Sequence, residues 1–170
     1  MNDVETASAA ASAELWGRIE ASPLAVTVRE SLYLYPALET LHIWGFVTLV
    51  GAVVMFDVRV LGLSRRIPVD DLARHLLPWS VGALIVIVPT GLLMFLGDAG
   101  ALVANPAFLV KLSLIFLAGC NAAAFHLGPL RTVAQWRTGV AAPHVARFHA
   151  VVSLVLWLSV IVCGRLIAYV

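Results

Sequence analysis

Five of the 170 residues are histidine: His42, His75, His126, His144 and His149. Imidazole is the side chain most often recruited as a metal ligand. Three of the five, His75, His126 and His149, each lie one or two helical turns from the end of a long apolar stretch. Axial ligation of a b-type haem needs two neutral imidazoles from facing helices at one depth. His126 and His149 are the preferred pair, because their helices are consecutive, and His75 is the alternative. Against this stands a plainer reading, in which a histidine at a membrane boundary points its polar tip into the headgroups. His144, beside Pro143, reads as solvated.

A second grouping joins Glu39 and His42, three residues apart and so on one helix face, with Lys111 at a similar depth. An ionisable residue within a membrane is costly and is a functional candidate by default. Lys111 either snorkels outward or pairs with Glu39 near His42. Met94 is a weak candidate to join His42 as a soft ligand for haem or Cu(I). Asp57 and Arg59 close the first apolar stretch, where the carboxylate is expected to meet Arg59, Arg74 or Arg147, or to orient a ligating imidazole. Asn121, in an Ala-rich patch that permits close helix approach, reads as an interhelical hydrogen-bonding residue.

The elements that must position these residues are set by composition. Hydrophobic residues make up 61% of the chain and charged ones 12%, with mean hydropathy +0.96, whereas soluble domains carry about 25% charge. Lipid is the solvent, and each crossing helix needs roughly 20 apolar residues. Four such helices, at about residues 36–63, 71–97, 106–128 and 143–169, account for nearly everything after Tyr35. The expected fold is therefore an all-α antiparallel four-transmembrane-helix bundle.

Residues 1–13 read as a disordered tail, with two acids, no basic residue and no apolar core, so not as a cleavable signal peptide. Residues 14–35 read as an amphipathic helix on the membrane surface, with Leu24, Val28 and Leu32 opposite Arg29 and Glu30. Ser22 followed by Pro23 is an N-cap with proline at the first helical position, and Asn105 with Pro106 repeats the pattern. Pro78 and Pro89 interrupt the second spanning helix and should kink it.

We call the surface at the start of the first spanning helix side A and the opposite surface side B. Side B collects Arg59, Arg65, Arg66, Arg74, Arg131, Arg137 and Arg147, while the side A turn from Gly97 to Asn105 carries no basic residue. The positive-inside rule makes side B cytoplasmic and both termini periplasmic, in what is expected to be a bacterial inner membrane. Cys120 and Cys163 sit at different depths in separate spans and read as small hydrophobes. No basic cluster with interleaved aromatics points to nucleic acid. No nucleophile elbow, acid pair or phosphate-binding glycine loop is present, so no catalytic residue is assigned and an autonomous hydrolase is not expected.

The stretches Tyr35-Pro36 through Glu39-Thr40-Leu41-His42, Phe56 to Gly62, Pro89-Thr90-Gly91, Asn105-Pro106-Ala107-Phe108 with Lys111, and Asn121 to His126 resemble an uncharacterised family of small bacterial four-helix membrane proteins, catalogued as a domain of unknown function. The resemblance covers roughly Ser31 to Leu130. It implies that Glu39, His42, Asp57, Arg59, Lys111, Asn121 and His126 form the functional set. A looser likeness, in helix number and in histidines near helix ends, is to copper-resistance membrane proteins and four-helix b-type cytochromes. The chain departs from a di-haem pattern, since side A offers His42 alone.

Three functions compete. One is an electron-transfer subunit holding one haem b on side B. Another is a copper- or small-solute-handling protein acting at side A, and the last is a structural or assembly subunit without a cofactor. The partners expected are the lipid bilayer and a periplasmic redox or metal-binding protein.

Overall fold

The computed structural model describes residues 2–170, with side chains from residue 11 onward and that of Ala7. Among the described residues seven α-helices follow one another: α1 (Asn2–Glu20), α2 (Pro23–Glu30), α3 (Leu34–Leu61), α4 (Val69–Gly97), α5 (Ala99–Ala104), α6 (Pro106–Leu127) and α7 (His144–Leu166), with a 3-10 turn over Pro129–Gln135 and no strand. Four of the helices, α3, α4, α6 and α7, are long and apolar enough to cross a membrane. Their outer faces carry Trp44 at 74%, Phe116 at 71% and Ile85 at 70% exposure. Apolar surface that large and continuous is tolerated where hydrocarbon is the solvent.

Local chemistry explains the boundaries. Ser22 accepts from the Ala25 amide (3.3 Å) and starts α2. Asn105 accepts from the Phe108 amide (3.1 Å) and starts α6. Each cap precedes a proline whose missing N–H would have had no partner. α3 stops where Gly62 turns left-handed (φ 114°), a conformation that a Cβ disfavours, and the Gly62 and Leu63 amides then close on Arg59 and Val58.

The spanning helices lie in the order α4, α3, α7, α6, each packed on the next. Gly45 lets α3 approach α4 closely, since a Cβ there would stand 2.9 Å from Ile87 Cγ1. The start of α3 lies beside the end of α4, where His42 bonds Ile87 and Thr90. Among the described residues the backbones of α4 and α6 make no contact. Their side A ends meet through the stacked rings of Phe95 and Phe108, 5.8 Å apart, so the four helices enclose a cleft rather than a filled bundle.

Side B is the better packed end. Val60, Val69, Phe125, Trp136, Ala146 and Ala150 form one buried cluster, and the connections above it are laced by Arg59. That guanidinium, 3% exposed, donates to the carbonyls of Ile67 (2.6 Å), Arg65 (3.2 Å) and Arg137 (3.1 Å). Outside it, Arg137 pairs with Asp70 (2.7 Å) and Asp71 (3.1 Å), and Arg74 pairs with both acids. The hydrogen bond and charge of Asp70, then the charge of Asp71, push the Arg137 pKa up and keep it cationic.

Several expectations are revised. Residues 2–13, read as a tail, belong to α1. The single amphipathic helix over 14–35 is divided at Ala21 and Ser22, and α2 buries Ala25 and Val28 while Leu24 (52%) and Leu32 (76%) stay exposed. Residues Gly97 to Asn105 are not a bare turn but contain α5, whose Gly100 amide is held by the Glu20 carboxylate (2.7 Å).

Candidate functional site

On the side B half of the molecule a cavity of about 330 Å³ opens between α4 and α6. Its walls are apolar: Leu49 and Phe56 of α3, Leu77 and Val81 of α4, Ile115 and Ala122 of α6. Its polar groups are Asp57, Ser80, Asn121, His126, His149 and Ser153. An apolar pocket with a few convergent polar groups is the usual form of a small-molecule site, and its volume falls at the lower end of the common range of about 300–1,000 Å³.

Two of the polar groups are fixed by one another. The Asn121 amide nitrogen donates to the His149 carbonyl (3.0 Å), which turns Oδ1 toward His149 Nδ1 (2.7 Å). Because that oxygen only accepts, the neutral His149 ring carries its proton on Nδ1 and presents a lone pair at Nε2. His126 reaches the same tautomer by another route, its Nδ1 lying 2.8 Å from the Ala122 carbonyl one turn back. Phe125 separates the two imidazoles, with ring centroids 6.1 Å from His126 and 6.2 Å from His149. An anchored Nδ1 with a free Nε2 is the state in which protein imidazoles bind metals.

Asp57 is the third element. It is 6% exposed, its Oδ2 has no hydrogen-bond partner among the described residues, and Ser153 lines the cavity with it. Of the arginine partners expected for it, Arg59 serves loop carbonyls, Arg74 serves Asp70 and Asp71, and Arg147 is exposed and forms no ion pair with it. His75, the alternative haem ligand, is exposed and lies off the cavity wall.

On side A, His42 Nδ1 meets the Ile87 carbonyl (3.1 Å) and Thr90 Oγ1 (3.0 Å), and the Thr90 hydroxyl donates to the Val86 carbonyl (2.7 Å). Pro89 removes a donor from this stretch of α4, and His42 supplies one from α3. Gly91 makes room for the ring, since a Cβ there would come 3.0 Å from His42 Cε1. Of the two arrangements open to Lys111, the pair with Glu39 is not formed among the described residues, and Glu39 is exposed. The Lys111 ammonium packs over Gly164 of α7. Met94 is half-buried, and among the described residues no group of three His, Cys, Asp or Glu side chains comes together. Sequence reasoning missed Ser153 and Trp157 as cavity residues. Ser153, one turn beyond His149, carried the available signal, a small hydroxyl on the face of that imidazole.

A family model described as a family of unknown function, DUF6644, matches residues 20–170. The chain belongs to this family. The match takes in α7 as well as the motifs from Tyr35 to His126, so every residue of the cavity falls within the DUF6644 region. No curated protein and no solved structure matches the chain.

Proposed function

We propose that this DUF6644 member is a polytopic protein of a bacterial inner membrane that binds a lipophilic molecule in the cavity between α4 and α6. In this reading the helices cross in up-and-down order, the arginine-rich side B faces the cytoplasm and the termini face the periplasm. The observation that carries it is the pairing of apolar walls with an anchored polar pair, Asn121 and His149, that shares the cavity with Asp57 and Ser153, in a space flanked by helices that do not close on each other. The test is native mass spectrometry of protein released from its host membrane in lipid discs. A non-phospholipid molecule retained at near one per chain is expected. Protein carrying bilayer phospholipid alone would contradict the reading.

A second reading is favoured by the two imidazoles with free Nε2 atoms: the occupant is haem b, held by His149 and His126 in an electron-transfer subunit. The two imidazoles fit haem in donor type. This reading expects a Soret band that His149→Ala removes. Native-source protein with no visible absorption would exclude it.

A further inference from the structure

Asp57 separates the occupants that the cavity accepts. A carboxylate taken out of water is retained when a cation or several donors meet it, yet here, among the described residues, one oxygen has no partner and no cation of the protein is in contact with it. The titratable groups sharing the cavity are His126 and His149, from α6 and α7, while α4 contributes Ser80 as its polar group. With Nδ1 bound to Asn121, the neutral His149 ring has its lone pair on Nε2, and the residue lines the cavity. Asp57 lines the same cavity, and no lysine or arginine lines it with them. An occupant that satisfies Asp57 must bring positive charge and N–H donors, and an occupant that reaches it between Leu77, Val81 and Ile115 must be soluble in hydrocarbon.

We infer that the cavity takes a lipophilic amine in its protonated form, entering laterally from the bilayer between α4 and α6, with its ammonium on Asp57 and its hydrocarbon body against the walls of α4 and α6. This rests on the reading of the cavity as a lipophilic-ligand site and names the class of ligand.

The test uses the full chain in lipid discs and the fluorescent amine 9-aminoacridine, with acridine, uncharged at pH 7.5, as its neutral counterpart. Saturable binding above that of empty discs is expected, weakened at least tenfold by Asp57→Asn, which keeps the shape of the side chain, and largely retained by Asp57→Glu. Acridine is expected to bind at least tenfold more weakly. Binding unchanged in Asp57→Asn, or equal for acridine, would overturn the amine assignment while leaving the cavity as a lipophile site. No saturable binding of either probe overturns both. Equal binding by Ala122→Trp, which fills the cavity, would place the probe elsewhere and also overturn the proposal.

Discussion

Asn121 shows what a single polar residue does in this protein. Its amide is used in both directions by one neighbour, donating to the His149 carbonyl and accepting from the His149 ring, so it joins α6 to α7 and sets a tautomer at once. Interhelical hydrogen bonds within membranes average about 0.6 kcal/mol and reach about 1.7 kcal/mol. Asn121→Leu is therefore expected to lower stability by roughly 1 kcal/mol in a reversible detergent unfolding titration, a loss that Asn121→Gln should not fully repair because its amide is displaced by one methylene. An unchanged midpoint would show that the pair carries no net energy. The role of Asn121 was legible in the sequence because a lone amide in an alanine-rich span has few alternatives. That of Asp57 was not: a carboxylate two residues before Arg59 reads as half of an ion pair. Arg59 instead faces three carbonyls, two in the loop that follows its own helix, Arg65 and Ile67, and one distant in sequence, Arg137.

Among the elements, the α3–α4 pair is the tightest in its construction, with Gly45 and Gly91 each standing where a side chain would strike its neighbour. Overpacking a fitted contact costs about 1–3 kcal/mol. Gly45→Ala is expected to fall in that range, because Ile87 and the Ala83 carbonyl both crowd the new methyl, whereas Gly51→Ala, with open space around it, should be neutral in the same unfolding assay. Equal effects at the two sites would show that the close approach is not energetically used. The helix starts at Pro23 and Pro106 could be read in advance because capping is local, a side chain meeting an amide three residues on. The four spans were legible for the same reason, their length and hydropathy being properties of contiguous sequence. The order α4, α3, α7, α6 is not local. It depends on Gly45, on the His42 bond to α4 and on the absence of contact between α4 and α6, so the cleft was hidden in a sequence that reads equally well as a filled bundle. The helical course of residues 2–13 was missed because its alanine and serine residues show no apolar periodicity. Alanine needs none to be helical.

For the whole molecule, the proposed orientation rests on the seven arginines of side B, of which Arg59, Arg74 and Arg137 are also built into the closure of that end. In a background lacking Cys120 and Cys163, cysteines placed at Ser64 and Thr138 are expected to share one accessibility to membrane-impermeant maleimide, labelling from the cytoplasm, with Asp98→Cys labelling from the periplasm. Labelling of Ser64→Cys and Thr138→Cys from opposite faces would overturn the up-and-down crossing, and with it the meeting of α3, α6 and α7 around one cavity. The central claim is that this cavity holds a molecule drawn from the membrane. Its most direct measurement compares what is extracted from native-source protein and from Ala122→Trp, a substitution on the cavity wall meant to fill it. The wild type should yield a non-phospholipid compound at near one per chain that the filled variant lacks. Identical extracts from two equally folded proteins would contradict it.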